Sequence, residues 1–168
     1  AIELTNQTGY GLTSGLESLD AREQQTWRDE IRAGNLYINR GTTGAIVLRQ
    51  PFGGVGKSAF GPGIKAGGPN YVAQLMRFRD RDELAARTRA PVASPALETL
   101  RVGLRELGGH ERVLGAIASY DRCYTDEFGR AHDHFRLVGE DNHRRYLPVP
   151  SLRVRVHPDD TAFEIFAR

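Results

Sequence analysis

The segment at 37–60 constrains this chain more than any other part of its sequence. It reads YINRGTTGAIVLRQPFGGVGKSAF, and two short apolar runs, at 36–38 and 46–48, lead into loops rich in glycine and small residues. Glycine has no Cβ, so backbone N–H groups in such loops can approach a ligand closely. Donors of this kind, beside an aromatic ring that follows a rigid proline, favour a small-molecule site.

Three residues of this segment are candidates for ligand contacts. Gly44 and Ala45 could present adjacent N–H groups to a carboxylate, although a loop in which the glycine serves only the turn has the same sequence. Phe52 could line a pocket, although a lone aromatic of this kind is more often part of a core. On these residues alone, the ordinary structural interpretation is favoured for all three.

A phosphate-binding loop is a further interpretation of residues 53–58, which end in Gly-Lys-Ser. The nucleotide-binding form requires another glycine five positions before the Gly-Lys-Ser glycine, so that the loop can wrap around a phosphate. Pro51 occupies that position and has no N–H to donate. ATP hydrolysis at this loop is therefore not expected.

Composition excludes several classes of partner. The 168 residues include 23 basic and 21 acidic side chains, a net charge of +2, so no nucleic-acid partner is indicated. No apolar run reaches the roughly 18 residues of a membrane span. The single cysteine, Cys123, cannot form an intramolecular disulfide and fits a reducing compartment, most simply the cytoplasm. With no suitable base nearby in sequence, Cys123 is expected to be a partly buried structural thiol.

A metal site is not predicted. Histidines cluster on one polar stretch with acidic residues and the cysteine nearby: His132, His134 and His143 with Asp133, Asp141 and Cys123. A zinc site needs three or four converging ligands, and this spacing matches no zinc signature. Solvated or hydrogen-bonded histidines on a loop are the expected arrangement.

The first 78 residues predict a mixture of helices and strands, an α/β arrangement. Asp20 is a candidate N-cap with Glu23 three residues later, which predicts a helix over 21–33. Gly34 is placed where a helix C′ residue would adopt a left-handed conformation. A strand is expected at 36–39.

A change in composition divides the chain. Residues 79–93 are charged and then contain proline, and they predict a linker between the first domain, 1–78, and a C-terminal extension, 94–168. Residues 71–78, just before the linker, fit either a last strand or a short helix followed by a strand.

The extension predicts two helices followed by a small strand–helix unit of α/β type. Ser94 and Pro95 occupy the first positions of one helix, which ends at Gly108, and a second helix runs from 110 to about 120. Short strands at 135–138 and 152–156 and a final helix from Pro158 complete the extension. The inward-facing residues of the first two helices are expected to be Leu97, Leu100, Leu104, Leu107, Val113, Leu114 and Ile117.

The first 78 residues resemble the C-terminal end of the aldehyde dehydrogenase superfamily. The shared motifs are NQTGYGL at 6–12, AGNLYIN at 33–39 and PFGG at 51–54. NRGTTGA at 39–45, followed by RQPFGG at 49–54, is similar to the 1-pyrroline-5-carboxylate dehydrogenase branch of that superfamily. GPGIKAGGP at 61–69 and DNHRRYLPV at 141–149 resemble the bifunctional proline utilization A proteins.

The resemblance implies roles for the three candidate residues. The family's loop glycine and alanine, which bind the α-carboxylate of the substrate through backbone N–H groups, fall on Gly44 and Ala45. Its aromatic residue that packs on the aliphatic part of the substrate falls on Phe52. The implied fold is a C-terminal piece of an aldehyde dehydrogenase catalytic domain, in which residues 71–78 resemble the flap through which subunits form homo-oligomers.

The resemblance also implies a parent enzyme that oxidises L-glutamate γ-semialdehyde to L-glutamate with NAD in proline catabolism, and that uses FAD where a proline dehydrogenase domain is fused. The family's catalytic cysteine, general base and NAD domain correspond to sequence upstream of Ala1. No catalytic, cofactor-binding or metal-binding residue is therefore expected here, and the chain alone is predicted to be inactive. The start without methionine and the end inside a predicted helix suggest a fragment. The alternative is a non-catalytic structural or interaction module at the C-terminus of a larger protein.

Overall fold

The computed structural model describes residues 1–46, 49–61, 64–79, 88–149 and 151–167. Val47 and Leu48 of the second apolar run, Pro62 of the 61–69 motif and most of the predicted linker lie outside the described residues. The chain divides into two compact units. The first unit is Ala1–Arg77 with Asp133–Arg144, and the second unit is Phe78–His132 with Arg145–Arg168. The domain boundaries at 78 and 93 stay a prediction.

The first unit combines two helices with short paired strands. Its elements are α1 (Ile2–Gln7), β1 (Tyr10–Gly11), β2 (Thr13–Leu16), α2 (Ala21–Glu30), β3 (Asn35–Ile38) and β4 (Val55–Gly56). Strands β2 and β3 pair in parallel, with Thr13 opposite Asn35, and α2 supplies the crossover that parallel neighbours require. Strands β1 and β4 pair antiparallel. The predicted α/β class and the strand after residue 34 are confirmed.

Helix α2 begins where its capping signal predicts and ends earlier than expected. The Asp20 carboxylate accepts a hydrogen bond from the backbone N–H of Arg22 at 2.8 Å, whereas Glu23 bonds the hydroxyl of Ser18 at 2.6 Å. The helix ends at Glu30 with an extended residue after it. Gly34 is therefore not its C′ residue, and that prediction was wrong.

Buried side chains of α2 and β3 give the first unit its apolar interior. Trp27 and Ile31 lie one helical turn apart, and both are buried together with Tyr37 of β3. The burial of Tyr37 and Asn35 on one face of β3 follows the two-residue period of a strand. Strand β3 therefore presents a polar residue to the interior at its first position.

The second unit is helical in the part that the structure describes. It contains α3 (Pro95–Leu107), α4 (Glu111–Cys123), one π-helical turn (Tyr124–Phe128) and α5 (Ala162–Ala167). Its core consists of Leu104 with Val113, Leu114 and Ile117, and Val92, Leu97 and Phe163 pack against it. Helices α3 and α4 confirm the prediction, but Leu100 and Leu107 are 50% and 75% exposed, so half of the predicted α3 stripe was wrong.

The two strands predicted in the extension, at 135–138 and 152–156, were wrong. The Asp133 carboxylate accepts hydrogen bonds from the backbone N–H groups of Phe135 and Arg136 at 3.1 and 2.9 Å. Arg136 also has a φ of 46°, so the first stretch is a turn. The second stretch alternates apolar and basic residues but pairs with no described strand, and alternation forms a sheet only where a partner strand is available.

Two other elements near chain or unit ends differ from expectation. Residues 71–78 contain a 3₁₀ turn at Val72–Leu75 and form no strand. Helix α5 begins after Thr161, not at Pro158. The backbone N–H of Thr161 donates to the Glu164 carboxylate at 2.7 Å, and the N–H of Glu164 donates to the Thr161 hydroxyl at 3.3 Å. This reciprocal capping box outweighs the preference of proline for a first helical turn.

No helix in the described ranges has both the length and the apolar content that a bilayer crossing requires.

Candidate functional site

One cleft of the first unit brings the three candidate residues together. Its volume is about 570 Å³, which falls within the range of small-molecule sites. The residues that line it are Leu12, Thr13, Thr42, Thr43, Gly44, Ala45, Gln50, Phe52 and Ala66. The loop glycine, the loop alanine and the aromatic ring thus share one concave surface, as an amino-acid site would require. Their roles in ligand binding stay a prediction.

The anchor loop, residues 41–46, contains backbone N–H groups that have no hydrogen-bond acceptor among the described residues. Among the described residues, neither Gly44 nor Ala45 finds an acceptor for its backbone N–H. Gly44 has a φ of 83°, a backbone conformation that residues with side chains rarely adopt, and a Cβ built on it would meet nothing within 4 Å. Its conformation, and not crowding, therefore explains the glycine. Successive free N–H groups in such a turn are suited to a carboxylate.

The Phe52 ring is carried by a backbone that is held on both sides. Phe52 and Ala66 exchange two backbone hydrogen bonds of 2.9 Å. The buried side chain of Asn35 donates to the Pro51 carbonyl at 3.0 Å and accepts from the Gly53 N–H at 3.1 Å. The Asn35 amide thereby satisfies the peptide groups on either side of Phe52, which limits the positions that the ring can take.

Lys65 is a second support of the same loop. Its ammonium group donates to the Gly34 carbonyl at 2.7 Å and also to the Gly53 carbonyl. Burial lowers the pKa of Lys65 below its usual 10.5, because desolvation disfavours the charged form. Sequence analysis missed both Asn35 and Lys65. Their signal lay in the shared motifs at 33–39 and 61–69, but nothing in those motifs identifies their partners.

The contribution of Lys65 to stability is expected to rise with pH. Its folded pKa lies below the 10.5 of an unperturbed lysine, so between the two values the unfolded chain binds more protons and the free energy of unfolding increases with pH. We expect the difference in unfolding free energy between wild type and Lys65→Gln to grow across that window. Fluorescence of Trp27, the single tryptophan, reports the transition. A pH-independent difference would contradict the assignment.

Residues 53–58 do not form a phosphate loop. Val55 and Gly56 belong to β4. The Lys57 ammonium group donates to the Thr8 carbonyl at 3.0 Å and lies 5.4 Å from the centre of the Tyr10 ring. The segment is a structural connection in which the lysine is already engaged, in agreement with the exclusion of ATP hydrolysis.

The remaining reactive side chains lie elsewhere. Cys123 is exposed, so the expected partly buried thiol was wrong. His132 bonds the carbonyl of Glu127 at 2.8 Å, and His134 contacts Arg144 at 3.3 Å. Ligand atoms of Asp133, Asp141 and His143 lie within 4.8 Å of one another. Asp133, however, already accepts three backbone N–H groups, which is a structural use of that carboxylate.

Comparisons with known proteins match the part of the chain that contains the cleft. Residues 1–80 match the sequence model of the aldehyde dehydrogenase family. The 1-pyrroline-5-carboxylate dehydrogenases of Geobacillus sp. (strain WCH70) and Bacillus cytotoxicus (strain DSM 22905 / CIP 110041 / 391-98 / NVH 391-98) are 45% and 44% identical to this chain over 84 residues. Those residues are 50% of this chain, which spans only 16% of either relative.

A solved structure extends the similarity into the second half. Proline utilization A (PutA) from Corynebacterium freiburgense is 44% identical, with a TM-score of 0.74, over 88% of this chain and 14% of that one. Since residues 1–80 are less than half of the chain, the match must include much of the extension. The resemblance to an aldehyde dehydrogenase domain, and to proline utilization A in particular, is confirmed.

Proposed function

We propose, from the match of residues 1–80 to the aldehyde dehydrogenase family, that the chain supplies the substrate-anchoring loop of an NAD-dependent L-glutamate γ-semialdehyde dehydrogenase. The activity would be that of a longer protein of proline catabolism, of which this chain is one part. The observation that carries the proposal is the single cleft that holds Gly44, Ala45 and Phe52 together. NAD supplies the hydride acceptor when the rest of the parent binds it, and FAD would serve a fused proline dehydrogenase domain.

The chemistry of the substrate fits the two kinds of group that line this cleft. The N–H groups of Gly44 and Ala45 would donate to the α-carboxylate, and hydrogen bonds to an ionised acceptor are stronger than neutral ones. The Phe52 ring would cover the two methylene groups that separate the α-carbon from the aldehyde. Both contacts hold the amino-acid end of the substrate and leave the aldehyde free for chemistry elsewhere in the parent.

The product L-glutamate is the probe of choice, since it keeps both recognised groups. We expect saturation-transfer NMR to show its methylene protons in contact with the 168-residue chain. Phe52→Ala should weaken the affinity about tenfold, because covering two methylenes stabilises a complex by roughly 1.5 kcal/mol. Phe60, 93% exposed in the same unit, gives the matched control, and Phe60→Ala should leave the affinity unchanged. Absent transfer in wild type, or equal affinities in both variants, would refute the proposal.

Homo-oligomer formation is part of the proposed function. Within the first unit, shortly before the predicted linker, large apolar side chains are exposed: Tyr71, Val72, Leu75 and Met76. Contiguous exposed apolar side chains commonly mark an interface, and subunits would pair through residues 71–78 although these form a 3₁₀ turn and not a strand. A cytoplasmic location rests on the single cysteine alone.

The alternative, a non-catalytic interaction module, is not favoured. Its argument depended on the extension as an isolated docking piece, whereas the extension is itself matched in proline utilization A.

A further inference from the structure

We propose that residues 133–144 form a clasp that holds both flanks of the anchor loop, so that Glu140 and Asn142 are positioning residues for the carboxylate site. The ligand in this inference is the one of the proposed function. The clasp itself rests on side-chain contacts within the first unit, to which residues 133–144 belong although they follow helices α3 and α4 of the second unit in sequence.

The clasp reaches the anchor loop from both sides. The Glu140 carboxylate pairs with Arg40, directly before the loop, at 3.1 Å. The side-chain carbonyl of Asn142 accepts from the Gln50 amide, after the loop, at 3.1 Å. Gln50 lines the cleft itself, and Arg40 lies 5.5 Å from the ring of buried Tyr37. The clasp thus contacts the loop's N-terminal flank, next to strand β3, and its C-terminal flank, at the cleft.

The chemistry of each side chain determines which group donates and which accepts in these contacts. Glu140 accepts only, so the NH₂ group of Asn142 must face it, and the two lie 3.1 Å apart. The Asn142 oxygen is then left for Gln50, which must donate. One carboxylate oxygen of Glu140 serves Arg40 and the other serves Asn142. Arg40, Glu140, Asn142 and Gln50 therefore form one continuous path across the base of the anchor loop.

The clasp is held together by hydrogen bonds of its own. Asp133 accepts hydrogen bonds from the backbone N–H groups of Arg136, Asn142 and Phe135, at 2.9, 3.1 and 3.1 Å. These bonds, those from Arg136 and Asn142 first, lower the pKa of Asp133 below its usual 3.8. The carboxylate therefore stays ionised at neutral pH and closes the turn that presents Glu140 and Asn142.

The clasp belongs to the extension and not to the matched dehydrogenase segment. The family match ends at residue 80, and the dehydrogenases of Geobacillus and Bacillus align over only 84 residues. In this chain, the extension therefore contributes support to a substrate loop whose flanking Gln50 lies 92 residues before Asn142. A loop that is ordered before its ligand arrives loses less conformational freedom on binding.

Asn142→Ala is the primary test, because it removes the hydrogen bond to Glu140 and the one from Gln50, and the latter is the contact that joins Asn142 to the flank of the loop. Loss of one hydrogen bond corresponds to about a two- to tenfold change. The backbone N–H groups of Arg49 and Gln50 donate to the Ile46 carbonyl at 3.2 and 3.0 Å. We expect hydrogen exchange of these two amides, measured by mass spectrometry without ligand, to accelerate by that factor, and L-glutamate affinity in saturation-transfer NMR to fall similarly. Val138 lies in the same segment with its side chain fully exposed, so Val138→Ala serves as the matched control and should change neither quantity.

A polarity swap separates positioning from a general structural role. Asn142→Asp alone places two carboxylates together and should accelerate exchange at Arg49 and Gln50. Adding Glu140→Gln supplies an amide whose NH₂ group can donate to the new carboxylate, while its oxygen still accepts from Arg40. The path is then restored with the donor and acceptor exchanged between positions 140 and 142. We expect this double variant to regain wild-type exchange and affinity.

The two proposals fail in different ways. Exchange at Arg49 and Gln50 that is equal in Asn142→Ala and Val138→Ala, or a double variant that is no better than Asn142→Asp, overturns the clasp whether or not L-glutamate binds. Accelerated exchange and rescue, combined with absent L-glutamate binding in wild type, supports the clasp and overturns only the proposed ligand.

Discussion

Gly34→Ala is expected to lower the free energy of unfolding of the first unit by about 2–3 kcal/mol, as overpacking does, and to abolish L-glutamate binding. A Cβ at this position would overlap the Gly53 carbonyl and lie 2.7 Å from the Lys65 Nζ. Neither neighbour can withdraw easily, because Lys65 bonds the carbonyls of both Gly34 and Gly53.

The expected loss of binding follows from the position of Gly53. The N–H of Gly53 is held by Asn35, and its neighbour Phe52 provides one wall of the cleft. A shift of Gly53 away from the added methyl group therefore moves the ring and breaks the hydrogen bonds that hold it. The cleft would lose the surface that covers the methylene groups of the ligand.

Gly41 provides the matched control for this substitution. It lies at the start of the anchor loop in the same unit, and a Cβ built there meets nothing within 4 Å. Denaturant unfolding followed by Trp27 fluorescence and saturation-transfer NMR with L-glutamate should both give near wild-type results for Gly41→Ala. If Gly34→Ala had the same stability and the same L-glutamate binding as Gly41→Ala, the close approach of Gly34 to Gly53 would be disproved.

Asp121→Ala is expected to destabilise helices α3 and α4 by about 3 kcal/mol, since hydrogen bonds to charged groups contribute roughly 1.5–3 kcal/mol each. The buried carboxylate of Asp121 accepts from the backbone N–H groups of Ala93 and Ser94 at 2.7 and 3.1 Å. It therefore ties the start of α3 to the last turn of α4. Its charge also lies where the positive end of the α3 dipole favours an anion.

Hydrogen exchange in peptides spanning 95–123 measures this effect, with peptides of the first unit as internal reference. Asp121→Asn keeps an acceptor oxygen but also brings an NH₂ group, so it should fall between wild type and alanine. Asp126 is the control: it is exposed and lies 3.9 Å from Arg122, so Asp126→Ala should cost less than about 0.5 kcal/mol. Equal exchange in the two alanine variants would contradict the role of Asp121.

Features that depend on neighbours in sequence were predicted well. Asp20 caps α2, Pro95 opens α3, and Gly108, with a φ of 69°, ends it. Each of these residues acts on the backbone within a few positions of itself, which is why its identity is enough. The candidate site could be predicted for a different reason, since its motifs resemble those of a known family.

Local sequence did not predict hydrogen bonds whose partners lie far away in the chain. Ser94 is the N-cap residue of α3, as predicted, but its side chain makes no capping bond, and its backbone N–H donates to Asp121 of the next helix, which the local sequence did not predict. Between the exposed positions of the predicted α3 stripe, Arg101 is 1% exposed and bonds the carbonyls of Ala90 and Thr88 at 2.8 and 2.6 Å. Helical periodicity cannot foresee a buried guanidinium, because its carbonyl partners lie outside the helix.

The sequence by itself predicted the starts of α2, α3 and α4, the end of α3, the similarity of the first half of the chain to the aldehyde dehydrogenase family, and the three residues that are candidates for ligand contacts. Only the tertiary structure decided what holds those contacts in place: Asn35, Lys65 and the clasp residue Asn142. Their partners lie 16, 31 and 92 residues away. A hydrogen bond depends on the final positions of two groups in space, and local patterns carry no information about a partner that folding alone brings near.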